Sequence, residues 1–327
     1  MKAVLCRQYG PPESLAVEEV ASPQPAAGEA VVSVRAASVN FPDVLIIQNK
    51  YQVKPPLPFS PGAEMAGVVK LVGAGVTHVR PGDRVLGLTT WGAFAEECLI
   101  EARRLIPLPT NMDYATAASF LLTYGTSHHA LRHRVATRPG ETLLVLGAAG
   151  GVGIAAIEVG KILDLRVIAC ASSADKLAVC REHGADETID YAKEDLRERI
   201  KALTGGRGVD LIYDPVGGAL TEAALRSSAW RARLLVIGFA GGEIPKIPLN
   251  LPLLMERDIV GVYWGEWLKR APDEFAAALT ELFAWYAQGR LRPHVATRFP
   301  LERAADALAL MAARGAKGKI VIDIGAG

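Results

Sequence analysis

The chain has 327 residues, longer than the roughly 100 to 200 of one typical core, so two domains are expected. Half of the residues are hydrophobic and 22% are charged, a balance that excludes a disordered chain. Lys and Arg number 36 against 35 Asp and Glu; a net charge of +1 gives no sign of a nucleic-acid, membrane-surface or polyanion binder, and small-molecule chemistry is the expectation.

Residues 1–109 read as short β-type runs broken by proline and glycine, at 3–6, 15–20, 30–34, 66–72 and 84–88. This is the texture of a small, irregular β domain. The run 3–6 ends at Arg7, far short of the roughly 7 to 15 residues of an export signal's apolar core. The proline-rich segment 54–61 reads as one loop. From residue 143 strands alternate with helical patterns, the signature of βαβ units on a parallel sheet. The spacing predicts strand 143–146, helix 152–163, strand 166–170, helix 174–183 stopped by Gly184, strand 187–189 and helix 194–203 ended by Gly205-Gly206. Strand 209–213, helix 220–229 and strands 234–237 and 259–263 follow. The uncharged stretch 143–157 is broken by glycines and too short for the roughly 20 residues that cross a bilayer. The tail adds helix 273–288, strand 295–299, helix 301–314 and strand 319–322; that last strand has no parallel partner of its own and is expected to return to the first domain. Cys6, Cys98, Cys170 and Cys180 form neither a close metal-ligand pair nor a disulfide framework, which fits reduced thiols in the cytosol.

After strand 143–146 comes Gly147-Ala148-Ala149-Gly150-Gly151-Val152-Gly153 and then a helix. A dinucleotide needs glycine where the chain turns sharply, where backbone approaches the pyrophosphate and where helix packs on strand. Ala148 stands at the first glycine position of the G-x-G-x-x-G pattern, while Gly150 and Gly153 hold the other two. The second strand ends in Ser172-Ser173-Ala174-Asp175-Lys176. Hydroxyls and an ammonium there would bind a 2′-phosphate that a carboxylate would repel, so NADP is favoured over NAD. Asp175 could still reach a ribose, or simply serve as the acidic first-turn residue of its helix.

With these go Ala37-Ser38-Val39-Asn40-Phe41-Pro42-Asp43, Pro61-Gly62-Ala63-Glu64-Met65-Ala66-Gly67, Arg80-Pro81-Gly82-Asp83-Arg84-Val85, Gly92-Ala93-Phe94-Ala95-Glu96 and Thr123-Tyr124-Gly125-Thr126. This ordered series resembles, end to end, the zinc-free quinone oxidoreductase (ζ-crystallin-like) branch of the medium-chain dehydrogenase/reductase superfamily. The resemblance implies an α/β fold in which a Rossmann doubly wound parallel sheet is inserted in a GroES-like, β-rich catalytic domain. The expected boundaries are 1–122 plus 266–327 for the GroES-like domain and 123–265 for the Rossmann domain. It also implies a homodimer paired through the last Rossmann strand, near Ile259 and Tyr263.

Zinc-dependent relatives place cysteine where this chain has Ser38 or Asn40, histidine where it has Ala63 and a further cysteine near Thr123; none of these is a thiolate or imidazole. The four-cysteine lobe of such relatives is also missing after residue 85, so no metal is expected. His128, His129 and His133 cluster, His129 and His133 at helical i, i+4 spacing, but no acidic residue between them completes H-E-x-x-H. A solvated or packed helix face is the expectation.

Without a Lewis acid, the acceptor should already be electron-poor: a quinone or an α,β-unsaturated carbonyl accepts hydride at carbon, and its oxygen takes a proton from water or a weak acid. By carry-over, Asn40, Asp43, Tyr51 and Thr123 are the candidate catalytic residues. Asn40 would donate to the acceptor or ribose, Asp43 either serves the site or only caps a helix, Tyr51 would supply a proton or stacking face or is an exposed loop aromatic, and Thr123 would hold the carboxamide or is a helix residue with no role. Cofactor contacts are expected from Thr123, Ala149, Gly150, Gly151, Val152, Ser172, Ser173, Lys176, Tyr191, Phe239, Tyr263, Trp264 and Arg314; Trp264 and Trp267 read equally as core or dimer packing. An NADPH:quinone oxidoreductase is the leading reading. An enoyl-thioester or alkenal double-bond reductase is the rival on the same fold, and a non-enzymatic, crystallin-like NADPH-binding protein the rival of another class.

Overall fold

The computed structural model describes residues 1–325. In chain order the elements are β1 (Lys2–Leu5), β2 (Ala16–Glu19), β3 (Glu29–Val39), α1 (Phe41–Ile47), β4 (Glu64–Val72), β5 (Arg84–Leu88), β6 (Glu97–Glu101), β7 (Leu105–Pro107), α2 (Tyr114–Ala117) and α3 (Leu121–His128). They continue with β8 (Thr142–Val145), α4 (Gly151–Ile162), β9 (Arg166–Ala171), α5 (Ala174–Glu182), β10 (Glu187–Asp190), α6 (Leu196–Leu203), β11 (Val209–Asp214), α7 (Ala219–Arg226), β12 (Ser228–Val236), α8 (Asn250–Leu254) and β13 (Asp258–Gly261). The chain ends with α9 (Trp264–Arg270), α10 (Pro272–Ala287), β14 (Val295–Pro300), α11 (Ala304–Ala312) and β15 (Lys319–Asp323). Two compact units divide it: Met1–Leu121 with 293–325, and Leu122–Arg292.

The first unit is built on a sheet in the order β14-β15-β3-β4-β5-β7, with β6 pairing β3. Strand β3 is its hub. The sequence reading stops at residue 34 because Ala36, Ala37 and Ser38 have weak β propensity; β3 nevertheless runs to Val39, since β4 and β15 supply ladder partners on both sides. The tail strand β15 pairs antiparallel with β3 and parallel with β14, which gives it the place in the first unit that its lack of a partner foretold. The core gathers Val32, Val39, Ile47, Met65, Phe94 and Ile322 beneath the sheet.

The second unit holds a six-stranded, wholly parallel sheet in the order β10-β9-β8-β11-β12-β13, the doubly wound arrangement whose order reverses beside β8. Strand β8 is Thr-Leu-Leu-Val, buried at every position, as a central parallel strand covered on both faces must be. Helix α5 stops at Gly184, whose φ of 102° belongs to the left-handed region that glycine tolerates. One boundary needs correction: residues 266–292 were expected with the first unit, but they cluster with the second. Aromatic packing explains it, for Phe275 meets the Trp264 and Trp267 rings edge-on and the His128 ring lies 5.5 Å from Trp285. Among the described residues no helix is long and apolar enough to cross a membrane.

Candidate functional site

In the second unit the turn after β8 starts at Gly147, whose φ is 59°. It is fastened by bonds from Leu146 N to Tyr213 O and from Ala148 N to Cys170 O, each 3.0 Å. Helix α4 then rises so close to that turn that a Cβ on Gly153 would stand 2.6 Å from Ala148 O. Gly150 begins the helix with no side chain capping it, and a Cβ built there would meet nothing nearer than Gly147 O at 3.4 Å. The result is a helix N-terminus with unspent backbone N–H groups and open space in front of a glycine, the chemistry a pyrophosphate requires. Ser127 supports it from α3: its hydroxyl bonds Val152 O at 3.1 Å and the buried Tyr213 hydroxyl at 2.9 Å.

The next carboxyl ends carry the other expected cofactor contacts. Beyond β9, Lys176 Nζ lies 3.5 Å from Ser172 Oγ, while Ser173 Oγ bonds the Asp175 carboxylate. Asp175 is thus engaged with the residue that precedes its own helix. Tyr191 follows β10, half-buried, its ring packed on the unit's core. Phe239 beyond β12 is half-buried and Tyr263 beyond β13 is exposed. Trp264 is buried with its ring against Gly125 of α3, where an added Cβ would come within 2.6 Å, and its indole N–H has no partner among the described residues. Thr123, two residues before that glycine, is buried in the same helix.

In the first unit, the expected catalytic residues Asn40 and Asp43 converge with two that sequence reasoning passed over, Glu64 and Lys319. Strand register does this. Ser38 near the end of β3 faces Glu64 at the start of β4, and β15 aligns Val321 with Ser38 and Ile320 with Val39, which brings Lys319 level with Asn40. Ser38 Oγ donates to Glu64 Oε2 at 2.7 Å. Asn40 Nδ2 donates to Ser38 Oγ at 3.1 Å and Glu64 Oε2 at 3.3 Å, and Lys319 Nζ donates to Asn40 Oδ1 at 2.6 Å and Glu64 Oε2 at 3.4 Å. The Asn40 amide is therefore committed at both ends to the cluster. Asp43 accepts from Asn40 N at 2.7 Å and closes the first turn of α1. Of the two expectations for Asp43, the geometry realises the helix cap.

All five side chains are buried. Burial raises the Asp43 carboxyl to about 7 against the pull of backbone N–H bonds and the Lys319 charge, and the Glu64 charge adds to the rise. Burial likewise lowers the Lys319 ammonium, opposed by Glu64 and Asp43. The signal in the sequence was slight: a glutamate opening an apolar strand, and a lysine after Gly318 at the start of another. Of the remaining candidates, Tyr51 packs half-buried on the first unit's core, and Arg314 is exposed past α11 with φ 57°.

His128 and His129 are packed while His133 is exposed: the His129 ring stacks on Trp267 at 4.2 Å, and His128 Nε2 meets Glu281 Oε2 at 2.6 Å. Desolvation brings His129 down to about 4, so that ring is neutral at ordinary pH, and it lowers His128 and His133 as well. A second buried network, also unforeseen, centres on Glu158 of α4, which takes Tyr124 Oη at 2.8 Å, His183 Nδ1 at 2.6 Å and Arg292 N at 2.9 Å.

A β-rich unit completed by the chain's own tail, and a doubly wound sheet with a dinucleotide-type turn, define a two-unit oxidoreductase. Residues 26–110 match the alcohol dehydrogenase GroES-like domain family and residues 151–285 the zinc-binding dehydrogenase family. The bovine (Bos taurus) quinone oxidoreductase-like protein 2 is 38% identical over 99% of this chain and 92% of its own length. The Pseudomonas aeruginosa quinone oxidoreductase is 34% identical over 98% of this chain and 99% of its own. The solved Escherichia coli quinone oxidoreductase complexed with NADPH superposes with a TM-score of 0.93 at 30% identity, covering 99% of this chain and 100% of that one. The chain belongs to the quinone oxidoreductase-like branch of the medium-chain dehydrogenase/reductase superfamily, and its fold is the GroES-like domain and Rossmann-type sheet that the resemblance implies.

Proposed function

We propose that this protein is a zinc-independent NADPH:quinone oxidoreductase, passing reducing equivalents from NADPH to quinones or similar electron-poor conjugated carbonyls. The observation that carries the reading is the pairing of an uncapped α4 N-terminus with Lys176 held 3.5 Å from Ser172 at the end of the next strand. The helix end would take the pyrophosphate; Ser172, Ser173 and Lys176 would take the 2′-phosphate, joined by Tyr191. Ala149, Gly150, Gly151 and Val152 would supply the backbone of the phosphate cradle, while Thr123, Phe239, Tyr263 and Trp264 would bound the nicotinamide. NADPH when bound supplies the hydride; the chain's task is to hold cofactor and acceptor in register and exclude water.

Zinc independence rests on the chemistry of Ser38, Asn40 and Ala63. The glutamate there is bonded to Ser38, Asn40 and Lys319, and among the described residues no group of three or more His, Cys, Asp or Glu side chains could hold a metal ion. The assembly we propose is a homodimer, with β13 at the sheet edge bonded to β12 and the apolar side chains of Ile244, Leu249, Leu253 and Leu254 exposed in the segment that precedes it in the chain. The cytosol is the compartment that four free, buried cysteines favour. The function is tested by NADPH oxidation with 1,4-benzoquinone, 9,10-phenanthrenequinone and crotonyl-CoA in parallel. Faster turnover of the quinones supports the reading, preference for the thioester replaces it with a double-bond reductase, and no turnover despite NADPH binding leaves a cofactor-binding protein.

A further inference from the structure

Lys319 is the one lysine or arginine side chain that is buried among the described residues. A long cation is almost never buried unless it is paired, because desolvating it is costly, and here Glu64 is the carboxylate that meets it. An ammonium has three N–H donors. Two are accounted for, to Asn40 Oδ1 at 2.6 Å and Glu64 Oε2 at 3.4 Å, and the third has no acceptor among the described residues. Its partners fix its position from three strands: Glu64 opens β4, Asn40 follows β3, and Lys319 itself begins β15. Gly318 lets that strand begin so tightly, with φ 129° and a Cβ position only 2.4 Å from the His294 ring. A donor held this rigidly and left one bond short is preorganised for an oxygen that is not part of the protein.

We propose that Lys319 is a catalytic residue that binds the acceptor's carbonyl oxygen through its third N–H and gives it a proton as negative charge arrives there. The inference rests on the oxidoreductase reading above and deepens it by naming the electrophile. Hydride adds to a carbon of the conjugated acceptor and forms the new C–H bond. The displaced π pair moves to the carbonyl oxygen, an O–H bond forms as a Lys319 N–H bond breaks, and the neutral amine regains a proton from water. The hydride and its two electrons would be supplied by NADPH when bound, and a quinone would reach the quinol after enolisation. Glu64 and Asn40 then act through Lys319, as positioning residues that hold its nitrogen, and Asp43 acts through Asn40.

The test uses the full chain and a probe for an oxyanion, 4-nitrophenolate, whose binding is read from its absorbance without turnover. The variants are Lys319→Met, Lys319→Arg, and Lys319→Met combined with Glu64→Gln, which leaves no unpaired buried carboxylate if the single change does not fold. Expected is a rise of at least about tenfold in the 4-nitrophenolate dissociation constant for either Met form, partial retention with Arg, and an unchanged NADPH dissociation constant. Turnover should fall unevenly, by about a hundredfold or more for an enoyl thioester such as crotonyl-CoA and far less for 1,4-benzoquinone, which needs less assistance. Equal losses with every acceptor, together with unchanged 4-nitrophenolate binding, would overturn the proposal and leave Lys319 a structural cation. If the unmodified protein turned over no acceptor, the oxidoreductase reading would fail instead, and Lys319-dependent 4-nitrophenolate binding would still mark an oxyanion site.

Discussion

Lys319 and Asn40 stand 279 residues apart in the chain, yet the lysine ammonium donates to the asparagine carboxamide oxygen across 2.6 Å. The bond closes the first unit, tying its last strand to the loop that leaves its longest. It also draws a buried charge beside Asp43, whose carboxyl burial has raised to about 7. The folded state therefore keeps a proton on Asp43 over a range in which the unfolded chain has lost it, so stability falls as pH rises from about 4 to about 7 and levels off above. While that range lasts, the slope from this one group approaches about 1.4 kcal/mol per pH unit. Asp43→Asn should remove it. Urea unfolding from pH 4.5 to 8 checks this: the variant's gain over the parent should grow with pH, and a pH-independent difference would mean that Asp43 is ionised throughout.

Lys176→Ala tests the phosphate reading. The ammonium lies beside Ser172 at the tip of β9, where only NADPH carries a charge to meet it. The NADPH dissociation constant should rise well over tenfold, a loss of more than about 1.4 kcal/mol, while that for NADH barely moves. Equal weakening of both in a fluorescence titration would remove Lys176 from the 2′-phosphate site.

Gly153→Ala puts a methyl group 2.6 Å from Ala148 O and 2.7 Å from Ala148 C, and backbone cannot turn aside as a side chain would. Helix α4 must shift off β8, so unfolding free energy should drop by about 1 to 3 kcal/mol and NADPH affinity with it. An unchanged urea midpoint and unchanged affinity would show that the turn has slack.

The parts that the sequence made legible are those whose determinants are local. The glycines at 147, 150 and 153, the apolar quartet of β8 and the alternation of strands with helices each sit within a few residues of one another, and the parallel sheet follows from them. Helix α3 escaped because its first turn carries no acidic residue and most of its side chains are buried, leaving no amphipathic period to read. The end of β3 escaped because Ala-Ala-Ser takes strand form only when β4 and β15 flank it. In the candidate site, Asn40 and Asp43 were legible through their motif, whereas Lys319 resembled an ordinary basic residue at a strand edge. Only the register of three strands discloses that it is buried against them.

The proposed dimer makes a prediction of its own. Leu253 and Leu254 are 76% and 68% exposed in the single chain, in α8, the helix that precedes the edge strand β13. Changing both to Asp should convert a dimer into a monomer in sedimentation velocity, because buried, unpaired carboxylates cannot be accommodated at an apolar interface. If the parent sediments as a monomer, or the variant stays a dimer, the interface lies elsewhere or does not exist.

The central claim is that this chain carries electrons from NADPH to a quinone without a metal. Its most direct test is the steady-state rate of NADPH oxidation by 1,4-benzoquinone in protein dialysed against a strong zinc chelator, with NADH as the comparison. The account predicts full activity after dialysis and a marked preference for NADPH. Activity lost on dialysis and restored by zinc, or no NADPH-dependent turnover at all, would contradict it.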